Sequence, residues 1–144
     1  MYQRKTARAV LPLSGLLVAL AFSSAVWAEA MRIEVTLAGE HEVPAVETAG
    51  SGMGVIEIGE DRSVSGSVTT NNVPGTMAHI HEAAADANGP VIVPLEQSDD
   101  DTWSVPEGAQ LTEAQYVSFK EGNLYINVHT EANPGGEVRG QLTP

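Results

Sequence analysis

Short strand-like segments recur along the chain, with glycine, proline and asparagine punctuating the gaps between them. Residues 31–37 alternate apolar and polar side chains over a full seven positions, the mark of a half-buried strand. Residues 54–58, 63–69, 77–82, 123–129 and 137–142 read as further strands, and 91–95 is a short apolar run with Pro94 near an edge or an end. One helix interrupts the series. Thr112 and Gln115 have capping-box spacing, Tyr116, Val117 and Phe119 give an apolar face, and Gly122 ends it. Many short strands with one small helix predict an all-β fold, a Greek-key sandwich or barrel.

The first 28 residues predict a signal peptide. Arg4, Lys5 and Arg8 precede an apolar stretch from about residue 9 to 21, and small residues end at Ala28, with Ala30 as a second cleavage position. A membrane anchor is the competing reading, but Pro12, Gly15 and the Ser23-Ser24 pair interrupt a run barely long enough to span. Residues 29–144 then form one exported domain, periplasmic or extracellular. There is no cysteine, so the domain must be held by its own core, with neither disulfide nor thiolate ligand. Beyond residue 28 there are 4 basic and 19 acidic side chains, a net charge of −15. That balance argues against nucleic acid and anionic lipid as partners, and against membrane association after cleavage. It also sets up a field that attracts cations.

The chemistry concentrates in two strands. In 77–82, Ala78 and Ile80 share one face, while Met77, His79 and His81 share the other. In 123–129, Leu124, Ile126 and Val128 oppose Tyr125, Asn127 and His129. The aliphatic sets belong to the core, so the histidines are expected on an outer face. His-x-His on one strand puts two imidazoles roughly 6.5–7 Å apart at Cα, within reach of one ion. A third from a neighbouring strand completes a site with an open position, and imidazole without thiolate suits copper, with zinc as the alternative.

His79, His81 and His129 are therefore the expected ligands, with Met77 and His41 as further candidates. Glu82 and Asn127 are candidates for supporting a ligand from behind. One register of the 130–136 hairpin sets His129 opposite Glu137 and Asn127 opposite Arg139, which would let Glu137 orient the His129 ring. The Asp99-Asp100-Asp101 run lacks ligand spacing and reads as solvated surface. No nucleophile elbow or phosphate loop is present. Strand edges left exposed would allow a homodimer.

At these residues the chain resembles the CHRD domain, the family named after chordin. The likeness runs through Leu37-Ala38-Gly39-Glu40-His41-Glu42-Val43-Pro44-Ala45-Val46, Ala78-His79-Ile80-His81 and Asn88-Gly89-Pro90-Val91. It continues through Leu124-Tyr125-Ile126-Asn127-Val128-His129-Thr130 and closes on Ala132-Asn133-Pro134-Gly135-Gly136-Glu137-Val138-Arg139-Gly140-Gln141-Leu142. Ala45 replaces a proline usual in the family, and His41 and Met77 are not family features. The resemblance implies an exported β-domain. In chordin the domain is part of an extracellular growth-factor antagonist, and in bacteria it commonly stands alone behind a signal peptide.

A partial resemblance concerns chemistry. Ala78-His79-Ile80-His81-Glu82 is similar to the copper-binding His-Val-His-Glu strand of Cu,Zn superoxide dismutase. It implies copper ligation by His79 and His81, a third ligand in His129, and Arg139 as the residue guiding an anionic substrate. The zinc subsite and the structural disulfide of that enzyme have no counterpart here, and a net charge of −15 opposes capture of an anion. Three functions follow as expectations: a copper-binding protein in copper handling or redox protection, a copper-only dismutase-like enzyme, and a metal-free extracellular binding module.

Overall fold

Strand β1 (Ala30–Ala38) buries Ile33, Val35 and Leu37 and leaves Arg32, Glu34 and Thr36 more exposed, as its alternation requires. The computed structural model describes residues 29–144, so the expected signal peptide lies outside the described residues. The other strands are β2 (Ser51–Gly59), β3 (Val64–Asn71), β4 (Gly75–Glu82), β5 (Val91–Pro94), β6 (Glu96–Asp99), β7 (Thr102–Ser104), β8 (Leu124–Thr130) and β9 (Val138–Leu142). They form one antiparallel sheet in the order β5-β4-β8-β9-β1-β2-β3-β7-β6.

The two ends of that sheet belong to one continuous stretch of chain. β5 pairs with β4, β6 pairs with β7, and only Leu95 separates them. Leu95 N–H donates to the Ala78 carbonyl at 2.9 Å, carrying the β4 side onto the bend. The sheet is thereby nearly closed into a barrel. Two links cross an end of it, β3 to β4 and β7 to β8, and these crossings give the Greek-key connectivity.

Inside the barrel pack Ile56, Ile58, Val68, Ile80, Phe119, Leu124, Ile126, Val128 and Leu142, all fully buried. Each such side chain contributes about 1.5–3 kcal/mol relative to an exposed one. Trp103 of β7 reaches across the interior, its indole against Gly75 on β4. A side chain at position 75 would press on that ring and on Val128.

The β7-to-β8 crossing contains helix α1 (Glu113–Lys120). The Thr112 hydroxyl accepts from Gln115 N–H, and the Gln115 side chain accepts from Thr112 N–H, so the expected capping box is formed. Glu113 in the first turn and Lys120 in the last match the helix dipole. Phe119 plugs the barrel end, and Gly122 takes a φ of +77° just beyond the helix. No helix among the described residues is long and apolar enough to cross a membrane.

The sequence reading missed β6 and β7. β6 is polar and wholly exposed, with no apolar alternation to betray it, and it is held by backbone pairing to β7 and by the Ser98 hydroxyl on Ser104.

Candidate metal centre

β4 and β8 lie side by side, with Met77 opposite His129, His79 opposite Asn127 and His81 opposite Tyr125. Directly opposed residues project to the same face. This pairing gathers three histidines from two strands, and one ring nitrogen from each of His79, His81 and His129 falls within 4.8 Å of the others. On the far side of β8, Asn127 pairs with Arg139 of β9, as the hairpin register predicted.

The face these residues occupy is not open. His81 and His129 are each 7% exposed, Asn127 and Arg139 each 1%, and only His79 keeps an intermediate exposure. Alternation correctly turned them away from the barrel interior, but the loops around residues 83–90 and 131–137 fold back over the outer wall and cover them. Hydrogen bonds from the site itself fix these loops. His81 Nδ1 bonds the Gly89 carbonyl at 2.9 Å, and His129 Nδ1 bonds the Pro134 carbonyl at 2.9 Å.

A carbonyl can only accept, so each of these Nδ1 atoms carries a proton and each Nε2 presents a lone pair. Metal-ligating histidines are held in the same way. His129 Nε2 lies 3.1 Å from His79 Nδ1, which must carry the shared proton when no ion is bound. Tetrahedral ligands at zinc-like bond lengths stand about 3.3 Å apart, so the spacing suits one ion. His81 Nε2 is fully buried and has no hydrogen-bond partner. A buried acceptor in that condition costs about 1–3 kcal/mol, and an electrophile at the lone pair removes the cost. The donor set therefore fits a metal ion.

Burial holds His79 below the usual histidine range, and the neighbouring His129 and His81 add to the effect. His81 is lowered as well. Burial is again the main cause, assisted by His129 and Arg139 and opposed by the Gly89 carbonyl and the nearby Asn127 amide. Both rings are thus kept in the neutral form that ligates metal.

The remaining candidates divide. Met77 stands opposite His129 on the same face and is about half exposed, at the rim of the cluster. His41 does not join the triad. Its Nδ1 bonds the backbone carbonyl of Arg139 at 3.1 Å, and it lines a separate cavity of about 480 Å³ with Glu40, Glu42 and Gln141. Glu82 falls on the core-side register of β4 and accepts from the Ser118 hydroxyl of α1 at 2.5 Å, so it does not support the histidines. Glu137 does not orient His129 either. Its carboxylate accepts from Thr48, Thr130 and Asn133, while the Pro134 carbonyl holds the ring. Burial works against the ionised Glu137, but those three hydrogen bonds outweigh it and leave its carboxyl below the usual range.

Arg139 is not presented to solvent as an anion guide would be. Nη1 donates to the Ala87 carbonyl and Asn88 Oδ1, and Nη2 donates to the Ala84 carbonyl and Gln141 Oε1, at 2.9–3.3 Å. The side chain thus clamps the 83–90 loop over the site. Its guanidinium lies on the Tyr125 ring, and Tyr125 stacks on His81 with centroids 4.8 Å apart and planes within 4°. The sequence reading gave Tyr125 no role, although it shares the histidine face. It also left the Asn88-Gly89-Pro90 and Asn133-Pro134 motifs unassigned, and these supply the carbonyls that set the two tautomers.

A family model described as the CHRD domain matches residues 33–142. No curated protein and no solved structure gives a match.

Proposed function

The chain belongs to the CHRD domain family, and from that premise we propose that it is an exported metal-binding protein that holds copper through His79, His81 and His129. It serves in copper handling or redox protection, in the periplasm or outside the cell. One observation carries the reading: His81 and His129 are both locked with Nδ1 on a backbone carbonyl, and the Nε2 of His81 is buried and unpartnered. An all-imidazole donor set favours copper, with zinc as the competing ion. A net charge of −15 on the exported part draws cations toward the barrel.

The intermediate exposure of His79 leaves one approach to the ion from solvent, which gives a dismutase-like enzyme its place as second reading. The engagement of Arg139 with the 83–90 loop weighs against it, because that guanidinium is committed to loop carbonyls and is not free to guide an anion. Binding without turnover is the better account.

The test is the metal content of protein exported from a host supplied with copper and zinc, beside a His79→Ala/His81→Ala variant. About one copper per chain, absent from the variant, supports the site. Superoxide turnover by the copper-loaded chain would move the assignment to the enzyme. Absence of metal from both, with melting temperatures unmoved by added copper or zinc, would leave a metal-free binding module.

A further inference from the structure

We propose that Asn127 supplies the fourth protein ligand, an amide oxygen that closes the inner side of the three-histidine site. The inference deepens the copper reading and rests on it. Asn127 lies on β8 directly opposite His79, two residues from His129 and diagonal to His81, so the three imidazoles surround it. It is 1% exposed and shares the face of the three rings.

The orientation of the amide follows from its neighbours. Asn127 Nδ2 points at the Glu42 carboxylate, 3.4 Å away, and at the Gly135 carbonyl, 3.5 Å away. The Gly135 carbonyl can only accept, so the NH2 end belongs there and Oδ1 must face the other way. Oδ1 is buried and without any partner. His81 Nε2 is the other orphaned acceptor of this face, with its ring proton committed to Gly89 on the far side. Two buried acceptors beside one another, one nitrogen and one oxygen, call for a cation between them. Gly136 keeps the arrangement in place. Its φ is +127°, and any β-carbon there would collide with the Glu42 carboxylate and the Asn127 amide.

A donor set of three imidazoles and one neutral amide oxygen is borderline to hard, and it suits Cu(II) or Zn(II) better than Cu(I).

The experiment uses the exported chain grown with asparagine carrying ¹³C at the side-chain carbonyl, loaded with Cu²⁺ alone and studied by pulsed electron paramagnetic resonance. The expected result is coupling to three imidazole nitrogens and to one amide ¹³C, the latter lost in Asn127→Ala. That variant, checked for fold by circular dichroism, is expected to keep one copper but bind it about 10–100-fold more weakly. Copper coupled to three imidazoles in the labelled wild type with no amide ¹³C coupling overturns the assignment, and that measurement needs no mutant to fold. An Asn127→Ala chain with unchanged affinity and spectrum overturns it too. A wild-type chain that takes up no copper overturns the copper reading and this ligand together, so the two failures are read apart.

Discussion

Arg139 lies flat on Tyr125, its guanidinium carbon 3.4 Å from the ring centroid, and the same ring stacks on His81. A buried cation is thus coupled by contact to a candidate metal ligand while its hydrogen bonds hold the loop that covers that ligand. Replacing it removes both functions at once. Arg139→Ala leaves the Ala84 and Ala87 carbonyls without their donors and is expected to destabilise the domain by about 3 kcal/mol. Amides of residues 83–89 should exchange faster with solvent than those of β1 or β2. Arg139→Lys should rescue little, since an ammonium cannot reproduce the planar fork or the stack. An urea midpoint equal to the wild type in either variant would rule out the clamp.

Acid should loosen the fold through the same cluster. His79 and His81 have folded pKa values depressed below about 6.5, the value an unfolded chain would show. Below that pH the unfolded chain binds more protons than the native one, so stability rises with pH across the window. The contribution is complete above about pH 7, is lost as pH falls through the folded values, and levels off below them. A series of urea midpoints against pH should bend downward below about 6.5, and His79→Gln/His81→Gln should flatten the bend. A wild-type midpoint that is constant down to about pH 5 would contradict the depressed values.

Gly136→Ala should be costly out of proportion to one methyl group. The new β-carbon meets Glu42 and Asn127, and the backbone there is left-handed. A loss of about 1–3 kcal/mol is expected from the strain alone. Copper affinity should fall as well, because Asn127 must move. Gly135→Ala, next in the chain with open space around it, is the control and should leave affinity unchanged. Equal behaviour of the two variants would count against the packing argument.

His41→Ala should leave metal stoichiometry and affinity unchanged, since that ring is tied to the Arg139 carbonyl and stands apart from the triad. Titration with Cu²⁺ against a competing chelator checks this. A loss of bound copper would place His41 back among the ligands.

The barrel was legible because apolar periodicity records which side of a strand meets the core. Ile33, Val35 and Leu37 alternate in sequence and are buried in the structure, and the same logic placed Ala78 and Ile80 opposite the histidines. The Asn127–Arg139 pairing was legible because a short hairpin loop restricts register. What periodicity cannot express is a second covering layer. β8 is buried at every residue, and its polar side is enclosed by loops whose own sequences are polar. Those loops are fixed by individual hydrogen bonds from Arg139, His81 and His129, and such bonds leave no pattern along the chain. The same limit explains Glu82 and Glu137, placed near the site by sequence but satisfied elsewhere by Ser118 and by Thr48, Thr130 and Asn133.

The single residue between β5 and β6 has a consequence for how such molecules share a crowded compartment. The stretch from Val91 to Asp99 serves both margins of the sheet, so the two strands that end its order are each four residues long, and one of them ends in a proline. At those two strands a neighbouring copy finds little backbone to pair with. The prevailing negative charge of the chain adds a repulsion between copies. The turn at Leu95 thus works as a clasp, holding together two margins that an open sheet would offer to other chains.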